Sequence, residues 1–214
     1  MTRAITIARE FGSGGSLVGS EVASRLGWKL VDAAIIDEIV QSAGVDMKTA
    51  RRCDESVDSA FHRVFKSLWE GGFVGSVSTT AASTVTIFDS DAMAKLSHCI
   101  VEKAGAEGNC IIVGRGGQCI LQHRTDTLHF FVHAPWHEKV SRVKKRMPNE
   151  SDVKGLIQKM DRQRSEYIRR HFNQDWCDRH LYHGMLSSSL GVSLVSDCIM
   201  AAMNQPESVQ RDAG

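Results

Sequence analysis

The sequence predicts an α/β fold built on a doubly wound parallel sheet, and three observations carry that reading. Apolar runs of strand length alternate with stretches of helical spacing along most of the 214 residues. Two of those runs, over 110–114 and 128–133, are apolar enough to be central strands buried on both faces. A short β-branched run over 4–8 leads straight into Phe11-Gly12-Ser13-Gly14-Gly15-Ser16 and then into a helical pattern. Strand, glycine turn and helix start, in that order, make a phosphate cradle. Glycines let backbone N–H groups point inward, and the helix dipole adds partial positive charge.

The elements follow in order. After the first strand, Leu17, Val18, Val22, Ala23 and Leu26 mark one face of a helix. The run 28–32 reads as a second strand ending in Asp32. Helical spacing returns over 33–43, with Gly44 as a stop, then in a short stretch that Asp46 would cap, and again over 56–70. Residues 71–86 are mostly small and without period, which predicts a mobile loop. A helix over 90–103 ends at Gly105 and Gly108, and the strand over 110–114 follows. The strand over 128–133 leads to a helix opened by Pro135 and running to 146. Asp152 begins a strongly basic helix to 170. A last strand falls within 181–187, a closing helix covers 191–203, and 205–214 reads as a flexible tail. Residues 1–204 thus form a single domain.

Composition narrows the function. A formal net charge of +1 removes the general electrostatic case for nucleic acid or an anionic membrane as partner. Cys53, Cys99, Cys110, Cys119, Cys177 and Cys198 show no regular spacing, and most sit in apolar stretches. They read as small core residues of a reduced compartment. With no apolar run near the ~20 residues of a membrane span, and a strand at the very start, the expected location is cytoplasmic.

Polar residues gather where three strands end. Arg9 and the glycine loop follow the first, Asp32 the second, and Gly114-Arg115-Gly116-Gly117 the third. In a parallel sheet these open onto one edge, where ligands bind. The loop half-meets the pattern G-x-x-x-x-G-K-[ST]: Gly14 and Ser16 match, but Gly15 stands at the lysine and Arg9 at the first glycine. A plain strand-to-helix turn is the alternative. The basic helix brings Arg162, Arg164, Arg169 and Arg170: a solvated face, a lid whose guanidiniums close on phosphates, or an RNA-binding patch, which the near-neutral charge and the few stacking aromatics, Tyr167 and Phe172, count against. Asp161 and Glu166 are the acids beside these arginines, too few for mutual neutralisation, so the lid reading expects mobility.

Four segments carry a family resemblance: I-T-I-A-R-E-F-G-S-G-G-S, C-I-I-V-G-R-G-G-Q-C-I-L, F-F-V-H-A-P-W-H-E-K-V-S-R-V and D-R-Q-R-S-E-Y-I-R-R. Together they resemble the cytidylate kinase-like family of P-loop nucleoside monophosphate kinases, from Thr2 to about Met203. The resemblance implies a P-loop kinase fold with a helical nucleotide-binding insertion at about 45–105 and an arginine lid at about 149–175. It implies ATP and Mg2+ as cofactors and small-molecule nucleotide substrates, most of all CMP or dCMP. The chain would be a monomer or homodimer. Gly12, Ser13, Gly14, Gly15 and Ser16 fall on the ATP phosphate loop, with the Ser16 hydroxyl on the metal. Asp32 and Arg115 fall on the acceptor side, and Arg162, Arg164, Asp161, Arg169 and Arg170 on the lid.

Two residues depart from the pattern: Gly15 replaces the loop lysine, and Gly116 replaces the acid after Arg115. Phosphoryl transfer needs cations across the phosphates, and Arg9 is the natural substitute. It would reach back over the loop unless it merely pairs with Glu10 or Asp32. Rival readings are a kinase of another small metabolite and a nucleotide-binding regulatory protein with little turnover. His129, His133 and His137 do not have converging geometry for zinc. His180 and His183 are candidates to approach the donor's base. Trp69, Trp136 and Trp176 read as packing or lid anchors.

Overall fold

A computed structural model describes residues 1–32 and 91–203. The helices and loop expected over 33–86, the tail after 204, Cys53 and Trp69 lie outside them. The described elements are β1 (Ala4–Arg9), α1 (Gly15–Leu26), β2 (Lys29–Val31), α2 (Asp91–Glu107), β3 (Cys110–Val113) and α3 (Gly117–Ile120). Then come β4 (Thr127–His133), α4 (Trp136–Arg146), α5 (Val153–Phe172), β5 (Gly184–Ser187) and α6 (Val192–Met203). The strands form one parallel sheet in the order β2-β3-β1-β4-β5. The first strand is therefore central, with Ile5 beside Ile111 and Leu128.

Strand periodicity divides the core between two faces. Ile5, Ile7, Ile111, Val113, Phe130 and Val132 meet Val18, Val22, Val195 and Ile199 of α1 and α6. Ala4, Cys110 and Ile112 meet Leu96, Ile100, Val101 and Ala104 of α2. Ala8 and Phe131 meet Tyr167 and Ile168 of α5. Cys110 and Cys119 belong to this core, their thiols pushed up to about 12 and about 11, mainly by burial. Cys177 and Cys198 are exposed, which corrects the core reading for those two. No helix among the described residues is long and apolar enough to cross a membrane.

The segment expected to be a mobile lid is a packed helix. Asp152 caps α5 by accepting from the Gly155 N–H at 2.9 Å, and Val153, Ile157, Met160, Tyr167 and Ile168 are buried along it. Its centre is also tied to the first loop by charge. Lys139 of α4 is 5 % exposed and sits between two carboxylates, its Nζ 3.2 Å from Glu10 and 3.0 Å from Asp161. Asp161 also accepts from the Phe11 N–H at 2.6 Å, and Glu10 from the Ala134 N–H at 3.2 Å. One ammonium thus joins α4, α5 and the turn after β1.

Two substitutions test this packing. Gly19→Ala should gain about 1 kcal/mol in helix propensity. The new Cβ would, however, lie 2.6 Å from Cγ2 of Val113, a stiff side chain in the sheet. Overpacking of about 1–3 kcal/mol wins, so the urea midpoint falls; a raised midpoint contradicts the close approach. Lys139→Met leaves Glu10 and Asp161 without the ammonium between them, and among the described residues Asp161 keeps only Arg164, at 3.5 Å, as a cation. Because both carboxylates keep some solvent, the expected loss is about 2 kcal/mol, below the cost of breaking a fully buried pair. Equilibrium unfolding measures it, and an unchanged midpoint would remove the ammonium from this role.

Candidate active site

The turn after β1 combines committed and uncommitted donors. Ser13 is buried, its N–H and hydroxyl both turned to the Glu10 carbonyl, and its own carbonyl accepts from Arg142 Nη1 and the Ser188 hydroxyl. The Gly15 N–H donates to Ser13 Oγ at 3.3 Å. No hydrogen bond among the described residues uses the N–H groups of Gly12, Gly14 or Ser16. Gly12 and Gly14 have φ of 79° and 82°, a conformation that side chains resist. Gly14 caps α1 and leaves Ser16 exposed in its first turn. The turn can therefore offer backbone donors at a helix start to an anion.

Arg9 explains the glycine at the lysine position. A Cβ on Gly15 would run into Cβ of Arg9, with Arg9 Cγ at 3.1 Å and Val132 Cβ at 3.2 Å. The arginine stem fills the space that a side chain at 15 would need. Its head goes on to Gly114, where any Cβ would overlap the guanidinium. It thus reaches past the loop toward β3 instead of folding back over it. Burial, then Arg164, then Arg115 push this guanidinium down to about 9, while Asp32 pulls it up. It remains a cation at neutral pH.

Arg115 and Arg164 complete a cluster. Gly114, Arg115 and Gly116 take φ of 81°, 53° and 73° in succession, and the turn closes through Gly117 N–H to the Gly114 carbonyl at 3.0 Å. Arg115 is 6 % exposed in this left-handed conformation, an uncommon one for a residue with a side chain. Arg164 donates from Nη1 to the Arg9 carbonyl at 2.9 Å and lies 5.5 Å over the Phe11 ring. Burial lowers it to about 10, against the pull of Asp161. The three arginines wall a small cleft with Gln118, Tyr167 and Trp176, and no lining residue is an acid. Gln118 is 2 % exposed, and its Nε2 has no hydrogen-bond partner among the described residues. A desolvated guanidinium that its arginine neighbours depress, as Arg9 is, favours a bound anion.

Other expected residues fall elsewhere. Arg162 is not at the cleft: its side chain is 80 % exposed and pairs with Glu166 at 3.2 Å. Helical geometry puts it nearly opposite Arg164. Arg169 and Arg170 are exposed in the last turn of α5, where cations suit the helix dipole. Gly116 is filled from outside, since a Cβ there would meet the Phe172 ring at 2.5 Å. His180 and His183 lie where β5 begins, at the sheet edge away from Arg9. Trp176 packs edge-on to Phe131 at 5.1 Å, and Trp136 is 41 % exposed. No group of three His, Cys, Asp or Glu among the described residues is placed to hold a metal ion.

Glu10 entered the sequence reading only as an alternative partner for Arg9, and three residues of the site escaped it: Lys139, Arg142 and Arg146. These three fall at i, i+3 and i+7 on α4 beside Val143, so the stripe facing the loop is cationic. Arg146 lies 5.0 Å over the Phe11 ring. Cations on the apolar face of an amphipathic helix were the available signal.

Comparison with known proteins follows this geometry. The model of the cytidylate kinase-like family matches residues 4–190. No curated protein matches. Among solved structures, an uncharacterized protein from Eubacterium ventriosum superposes with a TM-score of 0.66 at 22% identity, covering 95% of this chain and 99% of that one. A shikimate kinase from Acinetobacter baumannii, in complex with shikimate, superposes with 0.48 at 14% identity over 96% and 97%. One from Bacteroides thetaiotaomicron gives 0.49 at 12% over 95% and 99%. With its glycine loop at the end of a central parallel strand and the family match over most of its length, the chain is an α/β protein of P-loop kinase fold and belongs to the cytidylate kinase-like family.

Proposed function

We infer that the protein transfers the γ-phosphoryl group of ATP to a nucleoside monophosphate, with CMP or dCMP the favoured acceptors. The observation that carries the reading is the close fit of Arg9 to Gly15 and Gly114. It fixes a desolvated cation whose stem passes the turn with uncommitted N–H groups and whose head lies at Gly114, in a chain of a kinase-like family.

On this reading the N–H groups of Gly12, Gly14 and Ser16 hold the donor phosphates. The exposed Ser16 hydroxyl suits a magnesium ion, which when bound neutralises charge on the phosphate oxygens. Arg9 and Arg164 stabilise the charge that develops on the transferred group. Arg115 faces the acceptor, with Asp32 on the same side. A monophosphate is already an anionic nucleophile, so positioning and cationic stabilisation suffice without a general base. Asp161 acts through others: it holds Phe11 and Lys139 and so positions the loop. Residues 149–175 serve as the lid, 45–105 as the acceptor insertion.

A second reading, a kinase of another small metabolite, is favoured by one feature. The family acid after Arg115 is absent and the Phe172 ring fills its place, so this turn lacks a carboxylate to recognise a base.

Purified protein with ATP, magnesium and a panel of monophosphates should release ADP fastest with CMP or dCMP. Turnover with a non-nucleotide acceptor alone would favour the second reading, and none with any acceptor would favour a regulatory role. Arg9→Ala should lower turnover by about 10³-fold or more with the fold intact, the scale of losing one transition-state cation. Arg115→Ala should raise KM for the monophosphate more than for ATP. Full activity in Arg9→Ala would move the phosphate charge onto other arginines.

A further inference from the structure

The sheet edge opposite the arginine cleft holds a second cavity. It opens where β4 and β5 begin and measures about 570 Å³, within the range of small-molecule sites. His123, Arg124 and Thr125 line it from the segment ahead of β4, His129 from β4 itself, and His180 and His183 from the approach to β5. Nothing in the proposed transfer reaction uses these residues.

The polar character of this wall is one-sided, because no lining residue is a carboxylate. Two acids outside the lining orient Arg124 and His180. Asp126 takes the Nε and Nη2 of Arg124 at 3.0 and 2.7 Å, and Asp178 accepts from Nδ1 of His180 at 2.8 Å. The Nη1 side of Arg124 has no bond among the described residues. Nδ1 of His183 accepts from the His129 backbone N–H at 3.0 Å, so the ring proton of His183 sits on Nε2, as a donor.

His129 forms part of the wall. It is 4 % exposed, Thr6 Oγ1 holds its Nδ1 at 2.8 Å, and its Nε2 has no hydrogen-bond partner among the described residues. Burial, then the nearby His183, push the ring down to about 4; the Leu121 carbonyl pulls weakly upward without reaching bonding geometry. The ring is therefore neutral at pH 7. That Nε2 is enclosed by protein, so His129 bounds the cavity as a fixed neutral ring without itself contacting a ligand.

We propose that this cavity binds a small oxyanion, a ligand presenting phosphate or carboxylate groups, at a site separate from the catalytic edge. A donor-rich wall that lacks carboxylates needs an acceptor-rich ligand, and a guanidinium already oriented by its acid loses little freedom on binding one.

Histidine-ring NMR on the full chain at fixed pH reads the site directly, with pyrophosphate and citrate as separate probes. The ring resonances of His123, His180 and His183 should move saturably with at least one probe. They should do so equally in Arg9→Ala, which weakens the catalytic edge. Pyrophosphate alone acting assigns a phosphate ligand, citrate alone a carboxylate, and either supports the site. Arg124→Gln should weaken the midpoint by about tenfold, the loss of a charged hydrogen bond. His123→Ala, at an exposed position, should weaken it less while leaving the fold unchanged. No saturable movement with either probe overturns the proposal, as does a midpoint that neither variant shifts.

Discussion

The site depends on one steric fact: Arg9 leaves the central strand between two residues that cannot have side chains. Its stem lies on Gly15 and its head on Gly114. The arginine therefore enters the cleft without displacing the turn on one side or β3 on the other. Because β1 is flanked by β3 and β4, Arg9 has little freedom to leave. A long side chain that is free in solution loses its entropy during folding, before any ligand arrives. That is the physical content of preorganisation, and it is why a cation at the end of a strand can serve where a flexible lysine would otherwise stand.

Charge does the rest of the positioning. Lys139, Glu10 and Asp161 bind α4 and α5 to the turn, while Arg164 reaches the Arg9 carbonyl from α5. The cleft cations thus have carboxylates behind them, outside the lining. Asp161 stands 3.5 Å from Arg164 and Asp32 favours the charged form of Arg9, which partly offsets the repulsion among the arginines yet leaves the cleft itself positive. This arrangement makes α5 a packed wall of the site in the present state. Opening it requires breaking the Asp161 contacts with Phe11 and Lys139.

The fold was largely legible because the apolar runs are unambiguous. Cys110–Val113 has the burial of a central strand that its composition suggests, and Thr127–His133 is buried over most of its length. The short helix α3 was not foreseen, since Gly114-Arg115-Gly116-Gly117 reads as a turn and only its left-handed geometry reveals the helix that begins at Gly117. At the site, Arg9, Asp32 and Arg115 could be placed together because strand ends in a parallel sheet share an edge. Sequence could not separate Arg162 from Arg164: two arginines two residues apart look alike until the buried face of α5 is known. Nor could it show that Gly15 and Gly116 are empty because Arg9 and Phe172 fill their space, since that filling joins residues distant in the chain or on separate elements.

The central claim is that Arg9 takes the place of the loop lysine, and moving the charge tests it most directly. Arg9→Gly combined with Gly15→Lys restores the pattern G-x-x-x-x-G-K-S and removes the stem that blocks residue 15. The measurement is the rate of ADP release by this double variant beside its two single parents. The account predicts that both single variants are poor, Arg9→Gly for lack of the cation and Gly15→Lys for lack of room. The double variant should recover a substantial part of the lost rate. Wild-type turnover in Arg9→Gly, or a Gly15→Lys single variant as active as the unaltered protein, would contradict it.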